Sequence, residues 1–156
     1  MGKGARANTD PATQNYQQAV QFLAHHPMFG PLFSRADLFR REHNLCPDNG
    51  WAVVTKHGSI HVHAKRRGEV EEWIYVLAHA LLHLGFGHFV EKKHPALWNI
   101  ACDCYVTRFL KDMKLGKPPA GMSYELELSG KSEEELYEWF VEHGVPEHLK
   151  LFGTGG

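Results

Sequence analysis

Two histidines four residues apart, His79 and His83, are the residues of this chain best placed to do chemistry. On a helix, this spacing puts two side chains on one face about 5–6 Å apart, so two imidazole rings can hold one metal ion. A third histidine, His88, follows beyond the helix-breaking residues Gly85 and Gly87. Two histidines from a helix and a third from the next turn leave zinc one open position, as in catalytic sites. We therefore predict a metal site, with one Zn²⁺ as the expected ion.

A polar stripe on the next predicted helix supplies further candidates, because Asn99, Asp103 and Thr107 are spaced by four residues. Asp103 is either a direct metal ligand or the acceptor of an imidazole N–H that orients a liganding histidine, and we favour the second role. Cys102 and Cys104 flank it on other faces, and we expect both in the core. Cys104 is the less favoured alternative ligand.

A non-metal interpretation of the same histidines stays open. The chain contains 12 histidines, so a pair four residues apart can arise by chance, and a buried imidazole can be satisfied by a backbone carbonyl. A surface position for His88 is a separate alternative to its role as third ligand.

The elements expected to position these residues form an α+β fold, in which a small antiparallel or mixed sheet, or a hairpin alone, packs on a helical body. The central metal-binding helix follows Gly68, carries acids in its first turn and stays apolar through Leu84. Two β-branched runs predict a hairpin, at residues 51–54 and 60–63. The stretch 28–44 suggests a turn and a short second helix. Capping signals predict further helices that begin at Pro11, at Pro95 and after Ser132 and end near positions 25, 116 and 144.

The composition predicts one compact domain and argues against several classes of partner. The chain has 156 residues, of which 43% are apolar and 22% charged, as in globular proteins. The net charge of -1 offers no electrostatic case for binding nucleic acid or an anionic membrane. We expect a cytoplasmic protein, because no signal peptide or membrane span is apparent and three cysteines do not suggest a disulfide framework. We expect a disordered leader at 1–9, one domain at 10–152 and a flexible tail or linker at 153–156.

The run from Trp73 to His88 resembles the active-site helix of the zincin metallopeptidases, whose signature is His-Glu-x-x-His. Around it stand, in order, a hairpin, His-x3-His-x4-His, a helix with Ala-x-Asp, a Pro-Gly loop and a Ser-capped helix. Over about residues 50–141 this order resembles the metallopeptidase domain that precedes a von Willebrand factor A-like domain in bacterial proteins. The resemblance implies a zincin-like fold, with zinc bound by His79, His83 and His88 and with Asp103 in the same site.

Ala80 departs from the zincin signature, which has glutamate at this position. The resemblance implies that this glutamate takes a proton from the attacking water and passes it to the leaving amine. Alanine has no proton acceptor, and loss of a positioned general base costs about 10² to 10⁴-fold in rate. We therefore predict metal binding with little or no peptide hydrolysis. The otherwise intact motif favours an engineered replacement over a natural pseudoenzyme.

The resemblance also implies a strand next to the active-site helix that binds an extended substrate by main-chain pairing. The matching residues are Ser59, Ile60, His61, Val62 and His63. We expect Ile60 and Val62 to face the core, and His61 and His63 to face solvent rather than serve as further ligands. The expected partner is a peptide or protein substrate, and the Gly-rich tail is interpreted as a linker to a partner domain or protein.

Two functions of other classes stay open at this point. The first is a non-catalytic zinc-containing module that holds a peptide without cleaving it. The second is a structural metal site without an open position, whose four ligands are His79, His83, His88 and either Asp103 or Cys104.

Overall fold

A computed structural model describes residues 10–119 and 131–146. Its helices are α1 (Pro11–Ala24), α2 (Phe29–Phe33), α3 (Val70–Gly85), α4 (Pro95–Met113) and α5 (Glu133–His143). Its strands are β1 (Asp37–Phe39), β2 (Ala52–Val54) and β3 (Ser59–Val62). This combination of helices with a small sheet confirms the predicted α+β class. The expected leader at 1–9 and tail at 153–156 lie outside the described residues.

The three strands form one mixed sheet in the order β1-β3-β2. The predicted hairpin is present, because β2 runs antiparallel to β3 with Val53 opposite His61. β1 runs parallel to β3 on the other side, with Leu38 opposite Ile60. The sequence predicted a turn and short helix for 28–44, and α2 is that helix, but β1 was missed. Its three residues are too few for a visible alternation, and their pairing partners lie 22 positions further along the chain.

The helices begin where their capping signals indicate. The Asp10 carboxylate accepts a hydrogen bond from the Thr13 amide at 3.1 Å, one residue before Pro11 starts α1. At the start of α5, the Ser132 hydroxyl accepts from the Glu135 amide at 3.2 Å, and the Glu135 carboxylate accepts from the Ser132 amide at 2.9 Å. These contacts fix the first turns of the two helices, and the capping box of α5 fixes the position of Glu133, its first residue.

α3 is the central element of the fold, since α1, α2, α4 and β2 all pack against it. Its apolar side chains Trp73, Leu77 and Leu81 are fully buried, and none of the described helices combines the length and apolar character needed to cross a bilayer. Because α3 is enclosed on nearly every side, the polar side chains it carries must find partners inside the protein.

α4 lies between α3 and α5 and joins their cores. A second apolar cluster, formed by Ile100, Ala101, Cys104, Leu136 and Phe140, fixes α5 against α4. Beyond the end of α4, the Lys117 amide donates to the Glu71 carbonyl at 3.0 Å, which ties the chain back to the start of α3. The relative position of α3, α4 and α5 is therefore set by packing on both sides of α4.

Candidate metal centre

His79 and His83 of α3 meet Asp103 of α4 at a single point. The Oδ1 atom of Asp103 lies 2.7 Å from His83 Nε2 and 3.1 Å from His79 Nε2. The two Nε2 atoms are 3.0 Å apart. Within residues 10–119 and 131–146, these three residues form the group of histidine, cysteine and acidic side chains whose donor atoms are close enough to hold a metal ion.

The donor set fits a divalent ion such as zinc. Two imidazole nitrogens and one carboxylate oxygen are common zinc ligands, and bonds of about 2.0–2.1 Å in a tetrahedral site put donor atoms about 3.3 Å apart. The three measured separations, 2.7, 3.0 and 3.1 Å, are close to that value. Protons alone do not satisfy this triangle: with one Nε2–H, the other Nε2 lone pair faces the carboxylate, and with two, the N–H groups face each other across 3.0 Å. A cation satisfies all three lone pairs at once.

The site is buried, and burial and close polar contacts shift the pKa values of His83 and Asp103. The residue surfaces of His83 and Asp103 are only 4% and 6% exposed. Burial lowers the pKa of His83 below its ordinary value, and contact with the Asp103 carboxylate only partly opposes this. Burial on its own raises the pKa of Asp103, but polar contacts with His79 and His83 outweigh burial and hold that pKa well below its ordinary value. A neutral imidazole beside a carboxylate is the protonation state that a metal requires.

His79 contributes to the site through one nitrogen only. Its Nδ1 atom is buried and has no hydrogen-bond partner among the described residues. The polar contacts of this ring that are found in the structure are therefore on Nε2, the nitrogen that faces His83 and Asp103.

The chain turns back after Gly87 and brings His88 to the site, as the glycines before it predict. The His88 ring contacts His83 at Nδ1 rather than at Nε2, the nitrogen that faces Asp103. Gly87 has a φ of 67°, and the His88 amide donates back to the His83 carbonyl at 3.1 Å. The structure brings His88 Nδ1 to within 3.0 Å of His83 Nδ1, on the opposite side of the His83 ring from Asp103. His88 Nε2 lies 2.7 Å from the Glu133 carboxylate. His88 is 6% exposed, so it is an interior residue rather than a surface one.

Ala80 lies in α3 between the two histidines of the site. Its residue surface is 4% exposed, and its methyl group packs into the main apolar core. Glu72, in the same helix, accepts from the Glu69 amide at 2.9 Å and is engaged in starting the helix. Neither residue brings a carboxylate to the histidine pair.

β3, the segment expected to bind substrate, is flanked on both sides by other strands of the sheet. Ser59 to Val62 pair with β1 on one side and with β2 on the other, so this segment has no free edge for a peptide. Ile60 and Val62 are fully buried, as predicted.

The two histidines of this segment have structural contacts. His61 stacks on Phe39 and accepts from the Leu45 amide at 3.3 Å. His63 accepts from the Lys65 and Arg66 amides, each at 3.1 Å. Neither ring belongs to the cluster of His79, His83 and Asp103.

The two cysteines beside Asp103 are core residues. Both are buried, and Cys104 packs with apolar side chains of α4 and α5. Burial raises the pKa of Cys104 to about 12 and raises that of Cys102 as well. Neither thiol belongs to the potential metal group, and a metal ligand would need to be deprotonated.

Sequence reasoning missed Glu133 and the contact that holds His88 in place. The capping box identified Ser132 and Glu135 but gave no reason to single out Glu133 from the two glutamates between them. The Trp98 indole N–H donates to the His88 carbonyl at 2.8 Å. Both contacts join residues far apart in sequence, 45 and 10 positions respectively, so no local pattern signals them.

Comparison with known proteins agrees with this geometry. A family described as "Putative metallopeptidase domain" matches residues 11–147, which is most of the chain and includes every residue of the site. Comparisons with curated proteins and with solved structures found no match. The chain therefore belongs to this family.

Proposed function

We propose that this chain is a zincin-like peptidase domain that binds one Zn²⁺ through His79, His83 and Asp103. The observation that carries the proposal is the approach of His79 Nε2, His83 Nε2 and Asp103 Oδ1 to within 3.1 Å of one another. Three protein ligands leave a fourth position open, which is the arrangement of catalytic zinc sites. The family description supports a hydrolase of the metallopeptidase type.

This proposal revises the expected role of two residues. Asp103 becomes a direct ligand rather than an orienting residue, because its Oδ1 contacts both Nε2 atoms. His88 becomes a partner of a ligand, because its ring faces the nitrogen of His83 that points away from the cluster.

The proposed metal and the residues of the chain would supply different parts of the chemistry. A bound Zn²⁺ supplies Lewis acidity toward the carbonyl of a peptide bond. His83 and Asp103 are buried, and the exclusion of water strengthens electrostatic contacts between them. Position 80 lacks a group that accepts the proton of the attacking water, because Ala80 stands where the zincin signature has glutamate. We expect peptide hydrolysis to be slower by about 10² to 10⁴-fold as a result.

An extended peptide or protein segment is the proposed substrate, and the outer edge of β2 is its proposed binding strand. Trp51 and Thr55 pair with β3, and alternate residues of an antiparallel pair direct their backbone groups outward. Ala52 and Val54 therefore offer their amides and carbonyls at the end of the described sheet. β2 packs directly against α3, which supports its use as the edge beside the site.

A non-catalytic peptide-binding module is the second candidate, and Ala80 is the observation that favours it. With the proposed metal ligands present and no proton acceptor at position 80, the site is suited to hold a peptide without cleaving it. A closed structural site is less well supported, because Cys104 lies in the α4–α5 core and His88 contacts the His83 nitrogen that points away from the cluster.

Metal analysis of single variants tests the proposed function. The purified chain should bind one equivalent of zinc, and His83→Ala and Asp103→Ala should each abolish stoichiometric binding. His57→Ala is the matched control, because His57 is exposed in the β2–β3 turn. Full zinc content in His83→Ala would overturn the proposal.

A further inference from the structure

Four side chains, from three helices and the loop after α3, form a continuous line of polar contacts through the site. Glu133 Oε2 lies 2.7 Å from His88 Nε2, and His88 Nδ1 lies 3.0 Å from His83 Nδ1. His83 Nε2 lies 2.7 Å from Asp103 Oδ1. The line therefore runs from the first residue of α5 to the proposed metal ligands, through both nitrogens of two rings.

Carboxylates stand at both ends of this line, so two neutral imidazoles have only two protons for its three contacts, and the proposed metal takes the place of the third at His83 Nε2. A carboxylate has no proton to give, so His88 Nε2–H donates to Glu133. A neutral imidazole with its proton on Nε2 can only accept at Nδ1, so the contact between the two rings is donated by His83 Nδ1–H. Neutral His83 then has a bare lone pair on Nε2, which is the form that binds a metal.

The same proton positions leave a gap that a cation fills. The Nε2 lone pair of His83 faces a carboxylate oxygen at 2.7 Å, and two acceptors at this distance repel each other. A cation held by both atoms converts this repulsion into attraction. Hydrogen bonding at His83 Nδ1 is thus consistent with a metal ion bound at His83 Nε2.

The outer half of the line is held in place by the fold. His88 is buried, and its backbone is held by the Trp98 indole and by the His83 carbonyl. Glu133 is fixed by the Ser132 capping box at the start of α5. The 2.7 Å contact between Glu133 and His88 therefore joins two positions that have little freedom to separate.

We propose that Glu133 and His88 are positioning residues that act in series on His83, fixing its proton on Nδ1 and aiming its Nε2 lone pair at the metal. This inference rests on the proposed metal site. Groups that hydrogen-bond to a metal-bound histidine typically contribute 10 to 100-fold to metal affinity. Here that contribution passes through a second imidazole, so loss of either residue should weaken zinc binding without removing a ligand.

Zinc affinity, measured by competition with a chromophoric chelator, tests the proposal on paired variants. Glu133→Gln should weaken binding by about 10-fold or more, while the control Glu134→Gln, which removes the same charge from the neighbouring exposed residue, should leave it unchanged. His88→Leu should weaken binding by about 10 to 100-fold. His88→Gln should recover part of the loss, because its amide oxygen can still accept from His83 Nδ1–H.

Histidine ¹⁵N spectra of the zinc-loaded chain add a readout that a purely structural role would not move. The wild type should show His83 protonated on Nδ1 and coordinated through Nε2, and His88→Leu should disturb the Nδ1–H signal while His88→Gln retains it. Coordination of His83 through Nδ1, or equal zinc affinities for Glu133→Gln and Glu134→Gln, would overturn the positioning role.

The outcomes separate this inference from the function on which it rests. If the wild type binds no zinc, or if His83→Ala retains it, the proposed metal site is wrong and the inference fails with it. If zinc binding requires His83 and Asp103 but not Glu133, the positioning role alone is wrong. Complete loss of zinc from His88→Leu at saturating metal, with no recovery in His88→Gln, would make His88 a ligand and would also overturn it.

Discussion

His83 Nε2 lies 2.7 Å from Asp103 Oδ1, although the two residues are 20 positions apart and belong to different helices. Both residues are buried, so the contact is fixed by the packing of α3 against α4 rather than by surface side chains. A neutral imidazole and a carboxylate at this distance, joined by a second imidazole, are a site prepared for a cation.

Restoring the proton acceptor should restore peptide hydrolysis. We expect Ala80→Glu to raise the rate of cleavage by about 10² to 10⁴-fold, because a carboxylate at this position can accept the proton of the attacking water. Cleavage of a denatured protein or a peptide library by the zinc-loaded variant measures the effect.

Ala80→Gln is the matched control for that experiment, since glutamine has nearly the same size but cannot act as the base. It should bind zinc and remain inactive. If Ala80→Glu binds zinc, folds and still cleaves nothing, the non-catalytic binding module is the better account.

Zinc should stabilise the folded chain through Asp103. At a free zinc concentration of about 100 times Kd, binding adds about 2.7 kcal/mol to the free energy of unfolding. At about 2–4 °C per kcal/mol for a domain of this size, Tm should rise by roughly 5–10 °C. Thermal unfolding with zinc and with a chelator measures the shift.

Two asparagine variants on α4 control this measurement. Asp103→Asn should lose most of the zinc-dependent shift, because it removes a charged ligand. Asp112→Asn removes a charge from an exposed position of the same helix and should keep the shift. An unchanged shift in Asp103→Asn would show that zinc binds elsewhere.

The cysteines should react in the order of their burial, with no protection by zinc. Because the thiolate is the reactive form, a pKa of about 12 leaves Cys104 with a thiolate fraction on the order of 10⁻⁴ at pH 8. Reactivity should rise with pH and on unfolding. Half-buried Cys46 should react first with a thiol reagent, and Cys46→Ser should remove that phase. Rapid labelling of Cys104 that zinc suppresses would identify it as a ligand.

Gly116 should be intolerant of substitution, because it fixes the end of α4 against α3. Its φ is +69°, and an added Cβ would lie 2.8 Å from the Glu71 carbonyl oxygen and the Tyr75 amide nitrogen. Gly87 also has a positive φ but has free space around it. We expect Gly87→Ala to cost about 1–2 kcal/mol for its backbone conformation, and Gly116→Ala to cost about 1–3 kcal/mol more for the clash. Urea unfolding measures both, and equal costs would contradict the packing at Gly116.

Sequence patterns predicted the elements that have local signals. Each of these signals involves only a few neighbouring residues. They are the spacing of His79 and His83, the capping residues Asp10 and Ser132, and the β-branched hairpin. For these elements the structure agrees, since local hydrogen bonds and helical geometry determine them.

The same patterns do not predict contacts between residues that are far apart in the sequence. The spacing that marked Asp103 as a polar residue of an apolar helix does not say which ring nitrogen it meets. The glycines before His88 predicted its return toward α3 but not which side of the His83 ring it would reach. The positions of Glu133 and β1 depend on partners that lie 45 and 22 positions away in the sequence. Tertiary packing, rather than local propensity, brings these partners together.

Anomalous diffraction at the zinc edge, from crystals of the zinc-loaded chain, is the most direct test of the metal centre. We expect one peak, bonded to His79 Nε2, His83 Nε2 and Asp103 Oδ1, with His88 hydrogen-bonded to His83 and not bonded to the metal. A peak bonded to His88 in place of Asp103, or no peak between the two helices, would contradict it.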